Sequence, residues 1–143
     1  PGLGAITAAL IEKAREKDFF TIELNEKYAN ALSKRFPNLS IYQDSAANVQ
    51  HILASHGAPS IDAIVSSLPW VNFSDTLQEQ LLDSTIAVLS PGGQFSTFSY
   101  IHGLALKSGT RFRNKLNSRF KQVKRSRVVW RSIPPAIVYH CEL

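Results

Sequence analysis

Apolar residues recur along the chain in two rhythms, at spacings of three to four and in short continuous runs, and these alternate from end to end. Ala5 to Glu16 carries Ile6, Leu10 and Ala14 at spacing four, which predicts a helix with one buried face. Phe19 to Glu23 is a short apolar run ending in a carboxylate and predicts a strand. Asn25 offers a cap for a second helix, striped by Tyr28, Leu32 and Phe36 and stopped by Pro37. Leu39 to Gln43 predicts a strand, Ala46 to Ser55 a helix closed by Gly57, and Ile61 to Ser66 a buried strand. Ser74 caps a helix reaching about Leu89, the Pro91-Gly92-Gly93 turn ends it, and Gln94 to Tyr100 predicts the next strand.

A further helix is predicted from Ser108 to Phe120, with Phe112, Leu116 and Phe120 inward and Lys107, Arg111, Lys115 and Arg119 outward. Two β-rich segments, Lys121 to Arg131 and Ala136 to Cys141, flank Pro134-Pro135; that connector is too short for a helical crossover, so the pair is expected to be antiparallel. Strands separated by helices predict a doubly wound α/β domain spanning 1–143, mostly parallel with an antiparallel hairpin at its end. Pro1-Gly2-Leu3-Gly4 reads as a strand-to-helix turn without its strand, so the first strand of the sheet is expected upstream of Pro1.

Composition narrows the class. The 143 residues are 44% hydrophobic and 19% charged, as in a folded domain. The single cysteine, Cys141, excludes an internal disulfide framework and points to the reducing cytoplasm. No apolar run approaches the roughly 18 residues of a membrane span, and the first residues are not a signal peptide, so membrane contact is expected to be peripheral, at the inner face. Charge is segregated: residues 1–83 hold six Lys/Arg against ten Asp/Glu, and residues 84–143 hold ten Lys/Arg against Glu142 alone. Such a basic half suggests a phosphate-bearing partner, an anionic membrane surface or RNA.

Gly2 and Gly4 opening a helix suggest a nucleotide site, since glycine lets a ligand approach the main chain closely. Thr7 stands where the dinucleotide fingerprint needs Gly or Ala. Glu23 follows Gly4 by 19 residues, near the ~20 expected of a ribose-binding carboxylate. Asp44 ends the Leu39 to Gln43 strand, the third of the sheet when the one expected upstream of Pro1 is counted, and Ser66-Ser67-Leu68-Pro69-Trp70 follows the Ile61 strand, both at the carboxyl ends where α/β sheets bind ligands. Structural alternatives stand beside these readings: Asp44 as a helix cap, Trp70 as core. His51 and His56 are five apart and His140 and Cys141 adjacent on a strand, so neither pair has metal-ligand spacing.

As a set these motifs resemble class I S-adenosylmethionine-dependent methyltransferases, with their Rossmann-like sandwich. Pro1-Gly2-Leu3-Gly4-Ala5-Ile6-Thr7 is similar to the tail of motif I, Glu23 to the ribose acid, Asp44-Ser45-Ala46 to the adenine segment and Ser67-Leu68-Pro69-Trp70 to motif IV. Pro91-Gly92-Gly93 matches the turn before their fifth strand. The resemblance implies that Pro1, Gly2, Gly4, Glu23, Leu24, Asp44, Ser45, Ser67 and Leu68 hold S-adenosylmethionine, and that Pro69, Trp70 and Tyr100 form the methyl-transfer site.

Bacterial phospholipid N-methyltransferases look nearest, through the Leu68-Pro69 turn before Val71-Asn72-Phe73-Ser74, the Phe98-Ser99-Tyr100 strand and Pro134-Pro135-Ala136. Ribosomal RNA adenine dimethyltransferases share the glycine turn and the acids, but their Asn-Leu-Pro-Tyr is here Ser67-Leu68-Pro69-Trp70. The leading expectation is therefore methylation of an aminophospholipid such as phosphatidylethanolamine, with Trp70 and Tyr100 facing the cationic product and Lys107, Arg111, Lys115 and Arg119 gripping phosphates of the membrane. The alternatives are an RNA adenine methyltransferase and a non-catalytic nucleotide-binding relic.

Overall fold

The strands fall into two hydrogen-bonded sheets, a parallel pair and a four-stranded mixed sheet. The computed structural model describes residues 2–13 and 19–143. The chain divides into two compact units, residues 1–56 and 57–143.

The first unit contains α1 (Ala5–Ile11), β1 (Phe20–Ile22), α2 (Glu26–Arg35), β2 (Ser40–Tyr42) and α3 (Val49–His56). Pro1 and the expected helical stretch from Ala14 to Glu16 lie outside the described residues. β1 and β2 pair in parallel from Phe20–Ser40 to Ile22–Tyr42, the arrangement a helical crossover such as α2 permits. The Asn25 side chain caps α2 by accepting from the Tyr28 amide at 3.3 Å. Leu32 is fully buried with Ala29 beside it, whereas Tyr28 is 39% exposed, so the buried stripe of α2 is displaced from the expected one. Val49, Ile52 and Leu53 bury the inner face of α3. His56 packs on Phe20 at 4.8 Å and meets the Tyr42 hydroxyl through Nδ1 at 3.1 Å, a packing role.

The second unit contains β3 (Ile61–Ser66), α4 (Asp75–Val88), β4 (Leu89–Tyr100), α5 (Ile101–Leu104), α6 (Lys107–Arg119), β5 (Gln122–Arg125) and β6 (Ala136–Glu142). The sheet order is β3-β4-β6-β5; β3 and β4 are parallel, and β6 is antiparallel to both its neighbours. The expected closing hairpin is thus present, but β5 stops at Arg125, six residues earlier than expected, and the chain to Ala136 forms a loop.

β4 begins earlier than the turn at Pro91-Gly92-Gly93 suggested. Its register on β3 jumps from Ile61–Leu89 to Ala63–Gln94, so the turn is a bulge of three extra residues within the strand. β3, expected to be buried, has a hydrogen-bonded neighbour on one side only in this sheet, and Val65 is 47% exposed. Phe95, Phe112, Leu116, Phe120, Tyr139 and Leu82 form the core of this unit, each at most 5% exposed. By area each such side chain contributes roughly 1.5–3 kcal/mol on burial. Gly109 allows α6 to approach α5 closely: a Cβ there would stand 2.1 Å from the Gly103 carbonyl oxygen. Among the described residues no helix is long and apolar enough to cross a membrane.

Candidate active site

In the first unit the turn before α1 is built around Glu23. Gly2 and Gly4 have φ of 56° and 83°, a region that disfavours side chains. A Cβ on Gly4 would stand 2.7 Å from Leu32 Cδ2 and 2.8 Å from Phe36 Cε2, so α2 packs directly on this glycine. A Cβ on Gly2 would meet nothing within 4 Å, which leaves open space beside the main chain there. The Gly2 amide donates to Glu23 Oε2 at 2.9 Å and the Asn25 amide to Oε1 at 3.0 Å. The Glu23 amide donates to the Tyr42 carbonyl at 3.0 Å, continuing the β1–β2 ladder to the strand end. Partial burial pushes the Glu23 carboxyl up, the Asn25 and Gly2 amides favour its charged form, and its pKa is lowered on balance. A carboxylate fixed at a strand end beside an unobstructed glycine backbone is the kind of group that accepts from the ribose of a nucleoside cofactor. Leu24, next along the chain, is 71% exposed.

Asp44 follows β2 and has a local structural task. Its Oδ1 accepts from the Ser45 amide at 2.6 Å and from Asn48 Nδ2 at 2.7 Å. Ser45 caps the short turn of helix that follows, accepting from the Ala47 amide at 3.2 Å. Both residues therefore fix the start of α3, the capping alternative for Asp44, at the end of a strand.

In the second unit the segment after β3 carries a correction. Trp70 is 3% exposed, its indole N–H donating to Ser66 Oγ at 3.2 Å and Thr97 Oγ1 at 3.0 Å. The ring stacks on Phe112 at 4.8 Å and meets Phe95 and Phe73 edge-on. It is core, without a face open to a methylated cation. Pro69 is exposed at the turn, and Ser67 and Leu68 are half-buried. Tyr100, at the carboxyl end of β4, is half-buried and stacks on the exposed His102 at 5.7 Å. β3 and β4 are parallel, so the Ser67–Pro69 turn and Tyr100 share one sheet edge.

The helix stripe is also corrected. Lys115, expected outward, is 9% exposed: Nζ contacts Asp75 Oδ1 at 2.7 Å, Glu79 Oε1 at 3.1 Å and Gln78 Oε1 at 3.2 Å. Arg111 pairs with Asp75 at 3.5 Å, and Arg119 with Glu79 and Asp83. Three of the four stripe residues thus face the acids of α4, leaving Lys107 exposed. Opposite charges at spacing four on two packed helices interlock, and this pairing competes with any phosphate.

Gln78 was missed in the sequence. It is fully buried, donating to the Trp70 carbonyl at 2.7 Å while accepting from Lys115. Its signal is a polar residue three and four places before Leu81 and Leu82, on the apolar face of α4.

Comparison with known proteins bears on the fold. The chain has the fold of class I S-adenosylmethionine-dependent methyltransferases. It is 25% identical to the ornithine lipid N-methyltransferase of Singulisphaera acidiphila, over 98% of this chain and 71% of that protein. The N-methyltransferase NodS of Bradyrhizobium japonicum, solved with S-adenosyl-L-homocysteine, superposes with a TM-score of 0.73 at 16% identity, covering 98% of this chain and 72% of that one. An rRNA methylase from Streptococcus thermophilus gives a TM-score of 0.68 at 18% identity, covering 99% and 82%. No family model matches the chain.

Proposed function

We propose that this chain is the catalytic domain of an S-adenosylmethionine-dependent N-methyltransferase whose acceptor is the amine of a membrane lipid. The observation that carries the acceptor is the sequence relationship to a lipid N-methyltransferase, which runs through 98% of the chain. S-adenosylmethionine supplies an electrophilic methyl group on a sulfonium. In this reading Glu23 accepts from the ribose hydroxyls, Asp44 and Ser45 border the adenine, Gly2 and Gly4 let the cofactor approach the backbone, and Leu24 covers it from the exposed side. Ser67, Leu68 and Pro69 shape the acceptor edge together with Tyr100.

An amine must present a lone pair to be methylated, and at a pKa near ~10.4 only about one molecule in a few thousand does so at pH 7. Partial desolvation at the half-buried edge disfavours the charged ammonium, which raises the neutral fraction before transfer. The proton shed by the nitrogen passes to solvent, and the residues of the chain contribute mainly alignment. Cofactor binding measured by calorimetry, with methyl transfer from labelled S-adenosylmethionine to phosphatidylethanolamine, ornithine lipid and an RNA hairpin in parallel, tests the reading. Transfer to either aminolipid is expected; transfer to RNA alone overturns it.

A further inference from the structure

The α6 stripe is engaged with α4, yet the second unit has another surface suited to lipid. The loop between β5 and β6 exposes Val129 at 46%, Trp130 at 70% and Ile133 at 94%. Scattered single apolar residues are ordinary on a surface, but three within five positions of one loop are not. Arg125, Arg127 and Arg131 are exposed around them, and from Ser84 to Cys141 the sequence has no carboxylate.

The loop is held at its base. Val129 and Ala136 form an antiparallel bridge, the Val129 amide donating to the Ala136 carbonyl at 2.8 Å. The Ser132 amide turns back to the Val129 carbonyl at 3.2 Å. Ala136 pairs with Tyr100 in the sheet, and the Ile101 amide donates to the Pro135 carbonyl at 3.0 Å. The loop therefore projects from the end of β4 that carries Tyr100, on the acceptor edge.

We propose that the Val129–Ile133 loop is an interfacial anchor, seating Trp130 and Ile133 among the headgroups of an anionic bilayer with Arg125, Arg127 and Arg131 against the lipid phosphates. Tryptophan suits that depth, being apolar over most of its ring with one polar N–H. Cations near an anionic leaflet add salt-sensitive attraction that complements apolar insertion. Because the base is already bonded, little ordering accompanies docking. The anchor rests on the lipid-amine reading for its purpose: it brings Tyr100 to the plane where lipid amines lie.

Trp130 reports on itself, since Trp70 is buried and the fluorescence difference between the parent protein and Trp130→Phe isolates the exposed ring. With phosphatidylglycerol-containing vesicles this difference signal is expected to shift blue, to be quenched by brominated lipid and to weaken with salt; pure phosphatidylcholine should give a much smaller change. A Trp130→Ser/Ile133→Ser variant with unchanged melting temperature should bind anionic vesicles at least about tenfold more weakly. It should lose methylation of vesicle-embedded aminolipid while keeping that of a detergent-dispersed, short-chain aminolipid. A Trp130 signal indifferent to vesicles, or one that changes only with protein concentration as two copies associate, overturns the anchor. Full insertion with no aminolipid methylated in any form supports the anchor and removes the lipid-amine reading instead.

Discussion

The side-chain amide of Gln78 donates to the main-chain carbonyl of Trp70 at 2.7 Å, joining α4 to the turn that follows β3. The other end of the same amide accepts from Lys115, so the turn after β3 is coupled to α6 through one buried residue. Trp70 itself fills the space beneath with its ring on Phe112. The turn is shaped from below, by packing and hydrogen bonds within the second unit.

Trp70→Ala should therefore unfold the protein more than it selectively slows it. Removing a buried aromatic of this size costs about 3–5 kcal/mol. Trp70→Phe should recover part of the packing but not the bonds to Ser66 and Thr97. Chemical denaturation of both variants checks this; a stable Trp70→Ala protein with lost turnover would restore Trp70 to the reacting centre.

Lys115→Met retains much of the side-chain volume but leaves the Gln78 oxygen without its charged partner in a fully buried position. A loss of about 1–3 kcal/mol is expected. Double-mutant cycles with Gln78→Leu should show coupling, because the two residues share one network.

Acid sensitivity should follow from the same helix pair. The Lys115 hydrogen bond holds the Asp75 and Glu79 carboxyls below their ordinary values. Groups with lowered native pKa stabilise the fold above the ordinary carboxylate range, near ~4, and lose that contribution as pH falls through their native values. Urea midpoints measured from neutral to acid pH should thus fall more gently in Lys115→Met than in the parent.

Glu23→Ala should weaken S-adenosylmethionine binding by roughly 1.5–3 kcal/mol, the range for hydrogen bonds to a charged group. The Gly2 amide loses its acceptor in the same variant, so Glu23→Gln is the useful control: it keeps one acceptor oxygen. Calorimetry giving parent-like affinity for both variants removes Glu23 from the site.

Cys141 should be inert in the native protein. It is 2% exposed, and burial pushes its thiol up to about 12, leaving almost no thiolate at neutral pH. Thiol reagents should label it only after denaturation; prompt native labelling would contradict its place in β6.

Much of the architecture was legible because periodicity and caps are local signals. Asn25 and Ser74 cap the helices their sequence context predicts, and Phe112, Leu116 and Phe120 are buried as their spacing indicates. Glu23 beside the glycine turn was equally readable, since strand end and helix start are fixed by the chain. Trp70 and Lys115 were misassigned for one reason. Their surroundings come from residues distant in sequence, Thr97 and Phe112 for one, Asp75 and Glu79 for the other. The acids Asp75, Glu79 and Asp83 repeat every four positions, as do Arg111, Lys115 and Arg119, and that matching period was the clue to their pairing.

Among the described residues β3 is bonded on one side only, which has a consequence for handling the second unit. A strand with an unpaired row of amides and carbonyls is a template for other strands, and Ala63-Ile64-Val65-Ser66 offers no charge to deter them. Asp62 is the only gatekeeper within β3, and Ser90 Oγ holds its carboxylate at 2.9 Å. Residues 57–143 expressed by themselves should accordingly self-associate edge to edge, and a lysine at position 63 or 65 should keep them in solution.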